Sequence, residues 1–166
     1  MLKKVYVTGA GIISSIGKNV DETLESLRTM RSGVGSINYL STVHKNTIPA
    51  GEVKFSDMEL IEMAGVRGKK GLTRTSLLGM IAAREALKNS GIQNIHDMRT
   101  GLVSANTVGG MGKTELYYKD YISAEKTNEN FEFIGGHDCG DSTQKIADHL
   151  GIDEYITTIN TACSSS

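Results

Sequence analysis

Short apolar segments alternate with longer segments of helical periodicity along this chain. Residues 155–159 are mostly β-branched, and residues 100–105 are apolar enough that we expect a strand buried on both faces. Residues 3–8 and 49–53 are also predicted to form strands, and the first of them ends in a glycine-rich turn. Strands that alternate with helices indicate an α/β fold with parallel strand pairs.

Three helices are predicted between these strands. The clearest spans about residues 75–89, where apolar side chains recur every three or four positions until Gly91 ends the pattern. The other two are residues 23–27, with Asp21 as the N-cap, and residues 142–150, ended by Gly151. Residues 55–73 are polar with several basic side chains, and residues 113–138 have no clear period, so no element is predicted there.

Length and charge exclude several classes of function. The chain has 166 residues, enough for one domain, and its 18 Lys and Arg against 19 Asp and Glu give a net charge of −1. A near-neutral chain offers no electrostatic basis for nucleic-acid binding. No apolar run approaches the roughly 18 residues that a membrane span requires. We therefore expect neither nucleic acid nor membrane as a partner, and the few cysteines without an export signal favour the reducing cytoplasm.

Two glycine-rich segments are interpreted as tight turns rather than nucleotide sites. Residues 9–11 (Gly-Ala-Gly) lack the third glycine of a dinucleotide fingerprint, because Ser14 stands in its place. Residues 109–114 lack the glycine spacing of a P-loop.

A metal site at residues 137–139 (His-Asp-Cys) is not expected, because adjacent residues converge poorly on one tetrahedral ion. We therefore expect neither a cofactor nor a metal.

Cys163 is the candidate nucleophile. It follows the strand predicted at residues 155–159, and the three serines after it are typical of the beginning of a helix. A thiol at a strand-to-helix turn faces the positive end of the helix, which stabilises a thiolate, and nearby backbone N–H groups can stabilise an oxyanion. An inert, buried cysteine is the alternative that this pattern leaves open.

Five motifs, in order along the chain, resemble the β-ketoacyl-acyl-carrier-protein synthases, the condensing enzymes of the thiolase superfamily. The motifs are residues 5–11, an opening strand and turn; 31–34, a helix exit; 72–74 with 82–87, a long helix; 108–111, an acyl-channel loop; and 160–165 (Asn-Thr-Ala-Cys-Ser-Ser), the nucleophile motif. The resemblance implies part of the N-terminal half of a thiolase-like layered α/β fold, with a mixed, mostly parallel sheet and helices on both faces. It also implies that residues 1–166 are a truncated domain, without the C-terminal half that carries two catalytic histidines and a lysine.

The same resemblance implies an acyltransferase. Cys163 would accept an acyl chain from a thioester, and the enolate formed by decarboxylation of malonyl-acyl carrier protein would attack that chain and lengthen it by two carbons. The implied partners are acyl carrier protein, an acyl thioester substrate, and a second synthase chain in a homodimer or heterodimer. The pathway would be fatty-acid or polyketide biosynthesis, and the isolated fragment is expected to be inactive.

The resemblance also gives roles to residues outside the nucleophile motif. The residues expected to dock the acidic carrier protein are Arg67, Lys69, Lys70 and Arg74. A solvated basic loop explains these four charges equally well. Val108 takes the gating position beside the acyl pocket, where Gly109 and Gly110 would let the loop move, and Phe133 would line the same channel from across a dimer interface.

Three alternatives stay open. The chain would fit another thiolase-superfamily enzyme that uses coenzyme A thioesters, or a non-catalytic interaction module that pairs with a complete synthase. The polar segment at residues 136–142 also makes a specialised polyketide or pigment-type condensation an option beside fatty-acid synthesis.

Overall fold

The computed structural model describes residues 4–123 and 130–165. Its helices are α1 (Val20–Arg28), α2 (Asp57–Ala64), α3 (Arg74–Ser90), α4 (Met111–Ile122) and α5 (Cys139–Leu150), and its strands are β1 (Gly101–Ala105) and β2 (Tyr155–Ile159). The 3₁₀ turns are Ile95–Asp97, Phe131–Phe133, Gly135–His137 and Ala162–Ser164. The chain forms two compact units, one from residues 1–64 and 81–93 and the other from residues 65–80 and 94–166.

In the first unit, the beginning of α1 is stabilised by a side-chain cap. The Asn19 side chain accepts a hydrogen bond from the Glu22 N–H at 2.8 Å, which satisfies one of the free donors of the first turn. Asn19 is therefore the N-cap, and the prediction of Asp21 in that position is wrong. The helix buries Thr23 and Ser26 and leaves most of its other side chains exposed.

The polar segment at residues 55–73 contains α2, a helix that the apolar pattern does not indicate. The Glu59 carboxylate accepts from the Ser56 N–H and hydroxyl, both at 2.7 Å, and the Ser56 hydroxyl accepts from the Glu59 N–H at 3.3 Å. This reciprocal capping box begins α2. The two hydrogen bonds that the Glu59 carboxylate accepts from Ser56 lower the pKa of Glu59 below its usual value. α2 contributes Leu60 and Ala64 to the core of the first unit.

Two predicted strands of the first unit do not form. Residues 4–8 have no strand partner in the described part of the chain, and Val5 and Val7 are both more than 90% exposed. A strand needs a neighbouring backbone to pair with, so β-branched residues alone do not produce one. Residues 49–53 contribute only an isolated antiparallel bridge between Gly35 and Ala50.

The second unit is built on a parallel strand pair, as predicted. β1 and β2 pair in register from Gly101 opposite Tyr155 to Ala105 opposite Ile159. α5 packs on this pair and buries Ile146, and the Thr158 hydroxyl of β2 donates to the Thr143 hydroxyl of α5 at 2.7 Å.

The prediction that β1 is buried on both faces is wrong. Exposure alternates along the strand, and Val103 is 58% exposed. α5 contacts both strands, and the alternation shows that every second side chain of β1 is partly buried and the others are exposed.

The helices predicted over residues 75–89 and 142–150 are confirmed as α3 and α5, and Gly151 ends α5 in the left-handed conformation, with φ of 74°. No element was predicted at α4, because its sequence has no apolar stripe. None of its residues is buried in the structure, so no stripe is needed. None of the described helices combines the length and apolarity needed to cross a bilayer.

Candidate functional site

The parallel pair brings two loops to the same edge of the second unit. The Asn106 N–H donates to the Ile159 carbonyl at 3.3 Å, which extends the pairing by one residue beyond β1. The Thr107 hydroxyl then donates to the Ala162 carbonyl at 3.1 Å. The loop after β1 and the turn after β2 are therefore bonded to each other, as expected for the carboxyl ends of parallel strands.

Cys163 lies on the turn after β2. Cys163 is part of the 3₁₀ turn Ala162–Ser164, four residues beyond the end of the strand, and its thiol is free and exposed. Among the described residues this cysteine is therefore not buried. Ala162, directly before it, has a positive φ of 54°, a conformation in which the β-carbon is crowded.

Two side chains that flank the turn stabilise this backbone, and one of them is bonded to α5. Asn160 accepts from the Ala162 N–H at 3.3 Å through Oδ1, and its amide NH₂ donates to the Cys139 sulfur at 3.2 Å. The Ser165 hydroxyl accepts from the Thr161 N–H at 3.0 Å and donates to the Ala162 carbonyl at 2.8 Å. Neither Asn160 nor Ser165 was predicted to have this role, because hydrogen bonds of this kind have no periodic signal.

The loop that carries Val108 is held by Asn106. Its side-chain oxygen accepts from the N–H groups of Val108 and Gly109, both at 3.2 Å, and its NH₂ donates to the Ser142 hydroxyl at 2.5 Å. The Thr75 hydroxyl donates to the Gly109 carbonyl at 2.7 Å. Val108 itself is half exposed.

Gly109 and Gly110 pack closely against neighbouring residues. Gly109 has a positive φ of 55°, and a β-carbon there would lie 2.6 Å from the His137 carbonyl oxygen. A β-carbon on Gly110 would overlap the methyl group of Thr73 and would lie 2.5 Å from the Gly136 carbonyl oxygen. At both positions the lack of a side chain is required for this tight contact.

Phe133 lies against α4. Its ring stacks on Tyr117 with the centroids 5.4 Å apart, and the Lys113 ammonium lies 5.5 Å from the centroid of the Phe133 ring. The structure thus places Val108 and Cys163 on adjacent, bonded loops and Phe133 on a separate 3₁₀ turn, Phe131–Phe133.

The predicted basic segment precedes α3 and extends into its first residue. Its side chains are exposed at Arg67, Lys69 and Lys70 and partly buried at Arg74. A fifth cation that the sequence did not single out is Lys145 of α5, which donates to the Gly71 carbonyl at 2.5 Å and pairs with Asp141 at 2.7 Å. The available signal was the four-residue spacing of Asp141 and Lys145 on one face of a predicted helix.

Within residues 4–123 and 130–165, no group of three or more His, Cys, Asp or Glu side chains could hold a metal ion. The side chains that contact the turn around Cys163 are the hydroxyls of Thr107 and Ser165 and the amide of Asn160.

Comparison of the sequence with known proteins identifies the family of this chain. Residues 2–166 match the family model described as "Beta-ketoacyl synthase, N-terminal domain". The chain belongs to this family. The resemblance drawn from the five motifs is thereby confirmed.

Relatives and solved structures agree with the family match. The chain is 32% identical over 104 residues to 3-oxoacyl-[acyl-carrier-protein] synthase 1 of Haemophilus influenzae, a match that covers 61% of this chain and 25% of the relative. The structure titled "The ishigamide ketosynthase/chain length factor" superposes with a TM-score of 0.77 and 26% identity, over 95% of this chain and 40% of that one.

A second ketosynthase structure, solved with a type II acyl-carrier protein and a hexaketide, has a TM-score of 0.66 at 18% identity and covers 99% of this chain and 40% of its own. It supports the fold alone. The predicted α/β class of a β-ketoacyl synthase is confirmed. The chain spans about a quarter of the curated relative's length and 40% of each solved chain.

Proposed function

We propose that the full-length protein is a β-ketoacyl-acyl-carrier-protein synthase, an acyltransferase that condenses an acyl thioester with malonyl-acyl carrier protein. The observation that carries the proposal is the free, exposed thiol of Cys163 on the turn after β2, in a chain that matches the family's N-terminal domain over residues 2–166. Fatty-acid and polyketide synthesis both use this reaction, and the proposal covers both.

In this mechanism the Cys163 thiolate attacks the thioester carbonyl, and the C–S bond to the carrier breaks with release of the carrier thiol. The oxyanion formed in between is stabilised by backbone N–H donors, including that of Cys163. Malonyl-carrier protein then loses carbon dioxide, and its enolate carbon attacks the acyl-cysteine carbonyl. A C–C bond forms, the C–S bond to Cys163 breaks, and the thiolate is regenerated. We assign no step to His137 or His149.

Purified full-length protein, incubated with an acyl-carrier thioester and malonyl-carrier protein, should release carbon dioxide and yield a β-ketoacyl thioester two carbons longer. Mass spectrometry of the carrier protein detects this product. Formation of an acyl-enzyme without an extended product would support the coenzyme A alternative instead, and the absence of any acyl-enzyme would support the non-catalytic module.

We propose that the basic segment docks the carrier protein. The exposed charges of Arg67, Lys69 and Lys70, with Arg74 at the beginning of α3, form a cationic surface suited to an acidic partner. A ketosynthase of this fold has been solved in complex with its acyl-carrier protein.

Charge reversal at Lys69 and Lys70 together, to glutamate, should raise KM for carrier-linked substrate about three- to tenfold at low salt and leave kcat almost unchanged. The salt dependence of kcat/KM should become weaker. The matched control is the double variant of two exposed lysines of the first unit, Lys54→Glu with Lys88→Glu, which changes the net charge equally. Equal effects of the two double variants would assign the result to net charge and not to docking.

We also propose that Val108 limits the length of the acyl chain. It is half exposed and lies on the loop that is bonded to the Cys163 turn through Thr107. Val108→Phe should lower kcat/KM for long acyl-carrier substrates relative to short ones by about 1–3 kcal/mol of discrimination, because the larger ring occupies space beside the acyl group.

The ratio of kcat/KM for long and short substrates measures this effect. Val43→Phe, which adds the same ring at an exposed position of the first unit, is the control. An unchanged ratio in the Val108 variant would make this residue ordinary packing.

Further parts of the proposal concern Phe133 and the partner chain. Phe133 is proposed to complete the acyl channel when a second synthase chain, identical or related, is bound. Exposed apolar side chains on the strand pair, at Val103, Tyr155 and Ile159, offer a surface for such a chain. The two free thiols, Cys139 and Cys163, suit the proposed cytoplasmic location.

A further inference from the structure

Ala162 is held in an unfavourable backbone conformation directly before the proposed nucleophile. Among the described residues other than glycine, only Met30 and Ala162 have a positive φ, 52° and 54° respectively. A residue with a β-carbon is disfavoured in this region because the β-carbon approaches its own carbonyl oxygen. Such a conformation persists where the surroundings stabilise it.

The surroundings of Ala162 do so on both sides of the residue. Its N–H donates to Oδ1 of Asn160 at 3.3 Å, and its carbonyl accepts from the hydroxyls of Thr107 at 3.1 Å and Ser165 at 2.8 Å. We call these three side chains, Thr107, Asn160 and Ser165, the Ala162 clamp. Thr107 comes from the loop after β1, so the clamp joins both loops at the carboxyl edge of the strand pair.

The orientation of Asn160 is fixed by its two partners. The Ala162 N–H can only donate, so the carboxamide oxygen must face it, and the NH₂ group is then directed to the Cys139 sulfur at 3.2 Å. Cys139 is the first residue of α5. The clamp is thereby anchored to the helix that packs on the strand pair.

We propose that Thr107 and Asn160 are positioning residues that keep Ala162 in the left-handed conformation and thereby direct the Cys163 thiol toward the acyl thioester. The inference rests on the proposed role of Cys163. Neither side chain is required to touch substrate. Without the clamp, Ala162 relaxes to a negative φ, the peptide before Cys163 rotates, and the sulfur points elsewhere.

The test compares Thr107→Val and Asn160→Ala in the full-length protein, each with alanine and with glycine at position 162. The measurement is the rate constant of Cys163 acylation by an acyl-carrier thioester at saturating concentration, followed by mass spectrometry. Each variant should acylate about tenfold more slowly than the parent, with KM little changed. Thr107→Ser keeps the hydroxyl donor and should react like the parent.

Ala162→Gly should restore most of the lost rate in both variants. Glycine adopts a positive φ without a β-carbon penalty, so the turn then needs the clamp less. A side chain that only stabilises the fold would not be rescued by a more flexible backbone. The matched control is Thr47→Val, which removes another exposed threonine hydroxyl that donates to a carbonyl at 3.1 Å, that of His44. It should leave the acylation rate unchanged.

Two results would overturn the inference. One is a parent-like acylation rate in both Thr107→Val and Asn160→Ala, and the other is an equal loss of rate whether position 162 is alanine or glycine. The alkylation rate of Cys163 by iodoacetamide, measured on the same variants, does not depend on the proposed reaction. If the parent protein is not acylated at all, the proposed function fails, and the alkylation rates still decide whether the clamp directs the thiol.

Discussion

Replacement of Cys163 by alanine is expected to abolish both acyl loading and condensation. The parent full-length protein, incubated with an acyl thioester, should gain one acyl group per chain, and Cys163→Ala should gain none. The condensation rate should fall at least about a thousandfold, because no other group replaces the nucleophile. Intact-mass spectrometry measures the adduct, and release of carbon dioxide measures the condensation.

The control uses the second free cysteine of the chain. Cys139 is partly buried, and its sulfur accepts a hydrogen bond from Asn160. Cys139→Ser keeps an acceptor in that place and should still take one acyl group per chain. An adduct that persists in Cys163→Ala, or that is lost only in Cys139→Ser, would refute the assignment of the nucleophile.

A large loss of stability is expected from Gly110→Ala. The added β-carbon would overlap the Thr73 methyl group and crowd the Gly136 carbonyl, whose oxygen also accepts from the Gly110 N–H at 2.5 Å. Since both neighbours are packed and one is backbone, the free energy of unfolding should fall by about 1–3 kcal/mol. Urea unfolding followed by circular dichroism measures the change.

Gly112→Ala is the matched control for this substitution. Gly112 lies in the first turn of α4, and apart from its chain neighbours and the backbone of its own helix no described atom lies within 4 Å of an added β-carbon. Alanine should leave the stability unchanged or raise it by up to about 1 kcal/mol, because glycine is the poorer helix former. A similar loss in both variants would show that general loop sensitivity, and not the contact with Thr73, is responsible.

The elements predicted correctly are those with a strong local pattern. The apolar spacing of residues 75–89 and the glycine after Leu150 are enough to specify α3 and the end of α5. The β-branched residues 155–159 specify β2. Each of these segments has both a favourable propensity and a partner within the described chain, so the local prediction and the tertiary structure agree.

The errors arise where one of these two conditions fails. Residues 4–8 have strand propensity, but no strand pairs with them among the described residues. α4 forms the hydrogen bonds of a helix, but its sequence has no apolar stripe that would indicate one. The beginning of α2 was predictable from the sequence, because Ser56 and Glu59 have the spacing of a capping box.

At the candidate site, the position of Cys163 after a strand could be predicted from the sequence. Its support could not, because Asn160 contacts Cys139 over 21 positions and Thr107 contacts Ala162 over 55. The contact of Thr107 with Ala162 depends on the parallel pairing of β1 with β2, and the contact of Asn160 with Cys139 depends on the packing of α5 on that pair. They leave no mark in the local order of apolar and polar residues.

The tight packing of Gly109 and Gly110 limits how this loop can diversify. Neither position has room for a β-carbon, whereas the side chain of Val108 is half exposed. Among chains that share this loop, substitutions should accumulate at position 108 and be eliminated at the next two. A change of acyl preference during evolution could then occur through one codon, without any change in the backbone that holds the loop.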